Sequence, residues 1–178
     1  MVTGPQISLK NISLAFGEEP VFDKLNLIIH PRDRIALVGR NGSGKSTLLK
    51  ILKGLVAQDG GERMLSKGLS IGYMEQDPNF SEFSTLYDYV YADASDSTFH
   101  LIEMAGKNLG VDLEVSTSAS SGGERRRAAL TKLIAGDHDV MLLDEPTNHL
   151  DIMAIEWLEF ELKHSTKSFV IISHDRTF

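Results

Sequence analysis

The chain has 178 residues, 42% hydrophobic and 24% charged, with a net charge of −7. These are ordinary globular proportions, and the length suffices for one domain with its own core. No run approaches the ~18 apolar residues of a membrane span, and the N-terminus has no signal-peptide pattern. The chain contains no cysteine, which excludes a disulfide framework and a thiolate metal site and agrees with a cytoplasmic location. The acidic balance argues against a general polyanion-binding surface. Arg125-Arg126-Arg127 is the only dense basic cluster, and such a triple reads as a solvated helix face.

Alternating apolar residues predict β-structure over 6–16 and 21–29 (Ile7, Leu9, Ile12, Leu14; Leu25, Leu27, Ile29), with a turn at Gly17-Glu18-Glu19-Pro20. A buried strand over 34–38 leads to a helix over 46–54, ended by Gly54. Asp59-Gly60-Gly61 is a turn before short strands near 62–66 and 69–75. A weak helical pattern runs from Ser84 to about Leu109, and 112–121 is a polar connection. A helix over about 123–135 is stopped by Gly136. Val140–Leu143 and Phe169–Ile172 read as continuous buried strands, with an amphipathic helix over 152–163 between them. Strands alternating with helices imply an α/β fold around a mostly parallel sheet, with an antiparallel β portion in the first fifty residues. One domain over 1–178 is expected, with 77–135 inserted as a helical subregion.

Residues 39–47 read Gly-Arg-Asn-Gly-Ser-Gly-Lys-Ser-Thr between the strand and the helix, the phosphate-binding pattern G-x-x-x-x-G-K-[ST] in its required setting. Glycine at 39, 42 and 44 permits positive φ and lets backbone N–H groups close on an anion. Arg40, Asn41 and Ser43 complete the loop, and Thr47 lies in the first turn of the helix. The helix start adds its dipole and unpaired N–H groups. Lys45 can then reach the β- and γ-phosphates, and the Ser46 hydroxyl can ligate Mg²⁺. A nucleoside triphosphate is the expected ligand.

Val140-Met141-Leu142-Leu143-Asp144-Glu145 is a hydrophobic strand ending in two acids. Ligands gather at the carboxyl ends of parallel strands, so both acids are expected beside the phosphate loop. Asp144 is read as a Mg²⁺ ligand and Glu145 as the general base that polarises the attacking water.

Together with Ser121-Gly122-Gly123-Glu124, placed ahead of a helix and upstream of the acidic strand, this order resembles an ATP-binding cassette (ABC) domain. The order continues through Gln76 at a strand end, Asn148-His149-Leu150-Asp151 after the acids, and Ser173-His174-Asp175. The resemblance covers residues 6–178 and implies a Mg²⁺-dependent ATPase. It places Gln76 at the Mg²⁺ and attacking water, His174 at the γ-phosphate and Phe16 against adenine. It also implies that Ser121, Gly122, Gly123 and Glu124 clasp the ATP of a second cassette, closing head-to-tail, so that one cassette alone is weakly active. Glu145-Pro146-Thr147-Asn148-His149-Leu150-Asp151 and Ser173-His174-Asp175-Arg176 resemble the ABC-F subfamily, in its Uup-like branch, whose members act on ribosomes. The alternative is the ATPase subunit of a membrane transporter, whose membrane part would be another chain.

The sequence departs from the family pattern in three places. Ser120 replaces the usual leucine before the signature serine, a lost apolar anchor worth on the order of 1–2 kcal/mol if buried. The short stretch between Gln76 and Ser121 leaves no room for the long arm that reaches the ribosome. The chain ends at Phe178, where the family's domain continues, which reads as a truncated cassette.

Overall fold

The computed structural model describes residues 4–75 and 77–173. Within them the elements run β1 (Ile7–Phe16), β2 (Glu19–Ile29), β3 (Arg34–Leu37), α1 (Lys45–Lys53), β4 (Gly60–Leu65), β5 (Ile71–Met74), α2 (Leu86–Tyr91), α3 (Phe99–Asn108), α4 (Gly122–Ala135), β6 (Val140–Asp144), α5 (Ile152–His164) and β7 (Ser168–Ile172). The chain divides into two compact units. Among the described residues, one holds 4–73, His138–Asp144 and 166–173; the other holds 74–75, 77–137 and Glu145–Ser165.

In the first unit, an antiparallel sheet of order β2-β1-β4 lies beside a sheet of order β3-β7-β6-β5. The long β1 alternates as the sequence predicts, and Ile7, Leu9, Ile12 and Leu14 are buried. Its ladder is interrupted between Leu9 and Ile12, where Asn11 takes a φ of 52° and its N–H donates to Asn26 Oδ1 at 2.9 Å. Gly61, at φ 90°, faces this bulge, and a Cβ there would lie 2.3 Å from the Asn11 carbonyl oxygen. Only glycine fits that position. The predicted four-residue turn is shorter: Gly17 and Glu18 make it, and Glu19 and Pro20 already pair with Phe16 and Ala15. Pro20 is tolerated because β2 is an edge strand.

β3, β7 and β6 are parallel and level, with Leu37 opposite Ile172 and Ile172 opposite Asp144. All five residues of β6 and all five of β7 are buried, which explains their continuous apolar runs. The buried face of α1 (Leu48, Leu49, Ile51, Leu52) joins β1 residues and Val140, Leu142, Val170 and Ile172 in one core. Gly54 ends α1 at φ 91° as expected, donating to the Ile51 and Lys50 carbonyls. Arg63 adds Nε and Nη2 donors to the Leu52 carbonyl, at 3.2 and 2.7 Å.

The second unit is helical. The weak pattern from Ser84 to Leu109 resolves into two helices, α2 and α3, separated at 92–98. Thr85 caps α2 through a reciprocal box with Asp88. Phe80, Leu86, Val90, Ile102, Ala128 and Ala135 form its core. Tyr89 lies against Phe80, ring centroids 4.2 Å apart, and its hydroxyl pKa is pushed up to about 12, first by burial and then by Glu75 and Asp93. Gly136 does stop α4, but not in the left-handed conformation expected of a glycine cap: its φ is −66°.

Candidate nucleotide-binding site

The phosphate loop leaves the end of β3 and closes at α1. Gly42 and Gly44 take φ of 79° and 86°, as the sequence predicts, but Gly39 has no positive φ. At Gly39 a Cβ would lie 3.2 Å from Ser43 Oγ, a tight contact that the serine hydroxyl would have to yield to. Gly44 is constrained twice. Besides its φ, a Cβ would lie 2.6 Å from Val21 Cγ1 and 3.1 Å from the Phe22 ring, so the loop is seated on the start of β2. The Ser43 N–H donates to the Arg40 carbonyl at 3.2 Å, tightening the turn. As N-cap of α1, Gly44 brings no side chain to cap the helix, so the first turn at Lys45, Ser46 and Thr47 keeps its N–H groups for a ligand. Lys45 Nζ donates to the Gly39 and Arg40 carbonyls, both at 2.8 Å, which anchors the ammonium over the loop.

The level strands bring Asp144 to the same edge. Leu37, Ile172 and Asp144 form one row across the sheet, so the base of the loop and the acid are two strand spacings apart, about 10 Å. Asp144 is 1% exposed. A buried carboxylate level with the base of the loop and a serine hydroxyl in the first turn of α1 are hard oxygen donors, a chemistry that suits Mg²⁺. Phe16 is not a core aromatic: it is 61% exposed at the hairpin end where Val21 and Phe22 support Gly44. Gln76 and His174 lie outside the described residues. Among the described residues, no cluster of three or more His, Asp or Glu side chains is placed to hold a metal.

In the helical unit, Ser121 is the N-cap of α4, with Gly122 and Gly123 in the first turn. A Cβ on Gly122 would meet nothing within 4 Å. Ser121 and Glu124 form a capping box: the Ser121 N–H and Oγ donate to Glu124 Oε2 at 2.8 and 2.7 Å, and the Glu124 N–H donates to Ser121 Oγ at 3.2 Å. These bonds to the Ser121 backbone and hydroxyl lower the Glu124 pKa, with a smaller contribution from Arg127. A depressed carboxylate stabilises the fold above its unfolded pKa, and that contribution is lost as pH falls through the folded value. In a carboxyl NMR titration, Glu124 is therefore expected to titrate below the ordinary glutamate range, and the box to open only there.

The three arginines do not form a solvated face. All are partly buried, and each donates to a backbone carbonyl: Arg125 Nη2 to Thr117 at 2.6 Å, Arg126 Nη2 to Glu145 at 3.0 Å and Arg127 Nη1 to His149 at 3.4 Å. Their long apolar stems allow this, because the stem can be buried while the guanidinium finds oxygen. Arg125 Nε also donates to Ser120 Oγ at 3.0 Å, and Ser120 Oγ donates to the Thr117 carbonyl at 2.8 Å. Ser120 is buried, so the missing apolar anchor is replaced by a polar one, and the connection 112–121 is partly internal.

Glu145 takes a φ of 49° and is half-buried. Its carboxylate accepts from Asn148 Nδ2 at 2.7 Å. The resemblance names Asn148 only as part of the loop Asn148-His149-Leu150-Asp151, and no spacing rule predicts its contact with Glu145. The Arg126 contact was equally hidden, because a charged triple gives no sign of which carbonyls it will reach.

Residues 22–148 match the family described as ABC transporter. The chain is 48% identical over 175 residues to ATP-binding protein Uup of Caulobacter vibrioides, covering 98% of this chain and 28% of that protein. It is 32% identical over 212 residues to Energy-dependent translational throttle protein EttA of Mycobacterium tuberculosis, covering 96% of this chain and 38% of that one. It therefore spans well under half the length of these relatives. Among solved structures, the ATP binding subunit of an ABC transporter superposes with a TM-score of 0.84 at 18% identity, over 95% of this chain and 79% of that one. By these matches the chain belongs to the ATP-binding cassette (ABC) family, with Uup-like ABC-F proteins among its relatives.

Proposed function

We propose that this chain is a Mg²⁺-dependent ATP-hydrolysing cassette of an ABC-F protein that acts on the ribosome. The observation that carries the ATPase reading is the row Leu37–Ile172–Asp144, which sets a buried acid level with the base of the phosphate loop. Gly42, Gly44 and the first turn of α1 receive the phosphates through backbone N–H groups, Lys45 turns from the loop carbonyls to the β- and γ-phosphates, and Phe16 stacks on adenine. Mg²⁺, when bound, would be held by Ser46 and Asp144, to which the family resemblance adds Gln76, and would neutralise charge on the phosphates. Glu145 takes the proton of the attacking water and His174 contacts the γ-phosphate.

The same reading gives Ser121, Gly122, Gly123 and Glu124 to the ATP of a second cassette. The exposed α4 N-terminus, with open space over Gly122, supports it. One cassette then supplies half of each site and turns over weakly alone. The ribosomal role draws on the likeness to EttA, which is described as a translational throttle. Among the described residues no helix is long and apolar enough to cross a membrane. The test is co-sedimentation with ribosomes of the protein at its full natural length, carrying Glu145→Gln. The variant is expected in the ribosomal pellet with ATP and in the supernatant with ADP. Recovery in a membrane fraction, with no ATP-dependent ribosomal pellet, would favour transport instead.

A further inference from the structure

Glu145 is held both at its carboxylate and at its main chain. A φ of 49° is a left-handed conformation that a residue with a Cβ keeps only where its surroundings impose it. Two neighbours do so. The Asn148 N–H approaches the Glu145 carbonyl at 3.3 Å, closing the turn, while its Nδ2 donates to Glu145 Oε2 at 2.7 Å. Arg126 Nη2 donates to the same carbonyl at 3.0 Å. Pro146, buried next in the chain, favours an extended Glu145, so these contacts hold the left-handed backbone against that preference.

We propose that Asn148 and Arg126 are positioning residues for Glu145, Asn148 selecting the rotamer of its carboxylate and Arg126 holding the peptide beneath it. The proposal rests on Glu145 being the general base. A base contributes only from within hydrogen-bond reach of the proton it takes, and an unrestrained glutamate side chain samples several rotamers. Asparagine serves because its amide donates; an aspartate of the same outline would present a second negative charge. Arg126 adds a connection to the signature. It lies on α4, whose N-cap and first turn carry Ser121–Glu124, so a phosphate docked there bears on the helix that holds the Glu145 carbonyl.

The test compares kcat and the KM for ATP in the full-length protein carrying Asn148→Ala, Asn148→Asp, Arg126→Ala, Arg126→Lys or Glu145→Gln. Asn148→Ala is expected to lower kcat about tenfold with KM nearly unchanged, and Asn148→Asp to lower it further. Arg126→Lys should retain more turnover than Arg126→Ala. Wild-type kcat in Asn148→Asp, or losses confined to KM, would overturn the proposal while Glu145→Gln still abolished turnover. If Glu145→Gln itself turned over normally, the general-base reading would fall and this proposal with it, so the two failures are distinct. Should Asn148→Ala fail to fold, the isosteric Asn148→Asp decides alone.

Discussion

Replacing Gly44 by alanine is expected to weaken ATP binding by about a hundredfold while leaving the hydrophobic core intact. Two costs add. The residue sits at φ 86°, where a Cβ costs about 1–2 kcal/mol. The new methyl would also lie 2.6 Å from Val21 Cγ1 and 3.1 Å from the Phe22 ring, a collision of the kind that costs about 1–3 kcal/mol. Either these side chains or the loop must shift to relieve it, and a shift of the loop carries the first turn of α1 with it. Gly42 supplies the control. Its φ is 79°, but a Cβ there would meet nothing within 4 Å, so Gly42→Ala carries only the backbone cost and should weaken binding about fivefold. Titration with a fluorescent ATP analogue measures both. Equal losses in the two variants would mean that the seat on Val21 and Phe22 is irrelevant.

Glu145→Gln is expected to separate binding from cleavage. The amide keeps the size of the side chain but cannot take a proton, and general bases typically contribute about 10²- to 10⁴-fold. Single-turnover cleavage should fall by that order while ATP affinity changes less than about threefold. The substitution changes no residue of the phosphate loop, Gly39–Thr47. Undiminished cleavage would remove the general-base assignment.

Most of the fold was legible because the signals were periodic and local. Ile7, Leu9, Ile12 and Leu14 alternate, and the buried runs of β6 and β7 are unbroken. The phosphate loop was legible for another reason: glycine spacing is itself a statement about φ and space. What sequence hid were interactions set by tertiary context. Gly39 looks like its two companions in the motif, yet it has no positive φ and only a tight approach to the Ser43 hydroxyl. Ser120 looked like a lost anchor because nothing in its own chemistry announces that Arg125 and Thr117 await it. Gly136 stops α4 in a conformation open to any residue, so its identity there follows from no cap geometry. Glu145 stands out in the sequence by the four apolar residues before the acids, but its left-handed backbone and its hold by Asn148 and Arg126 have no local signature.

The carbonyl-bound arginines also bear on how the molecule meets others. The chain carries 18 lysines and arginines against 25 acids, and three of those cations are directed inward to main-chain oxygens. The surface offered to an approaching molecule is thus more negative than the residue count suggests. An acidic partner is met against a repulsion that dissolved ions screen, so moderate salt should quicken that encounter rather than slow it. The same ions would scarcely disturb the signature helix, whose guanidinium groups are bound to neutral carbonyls within the protein.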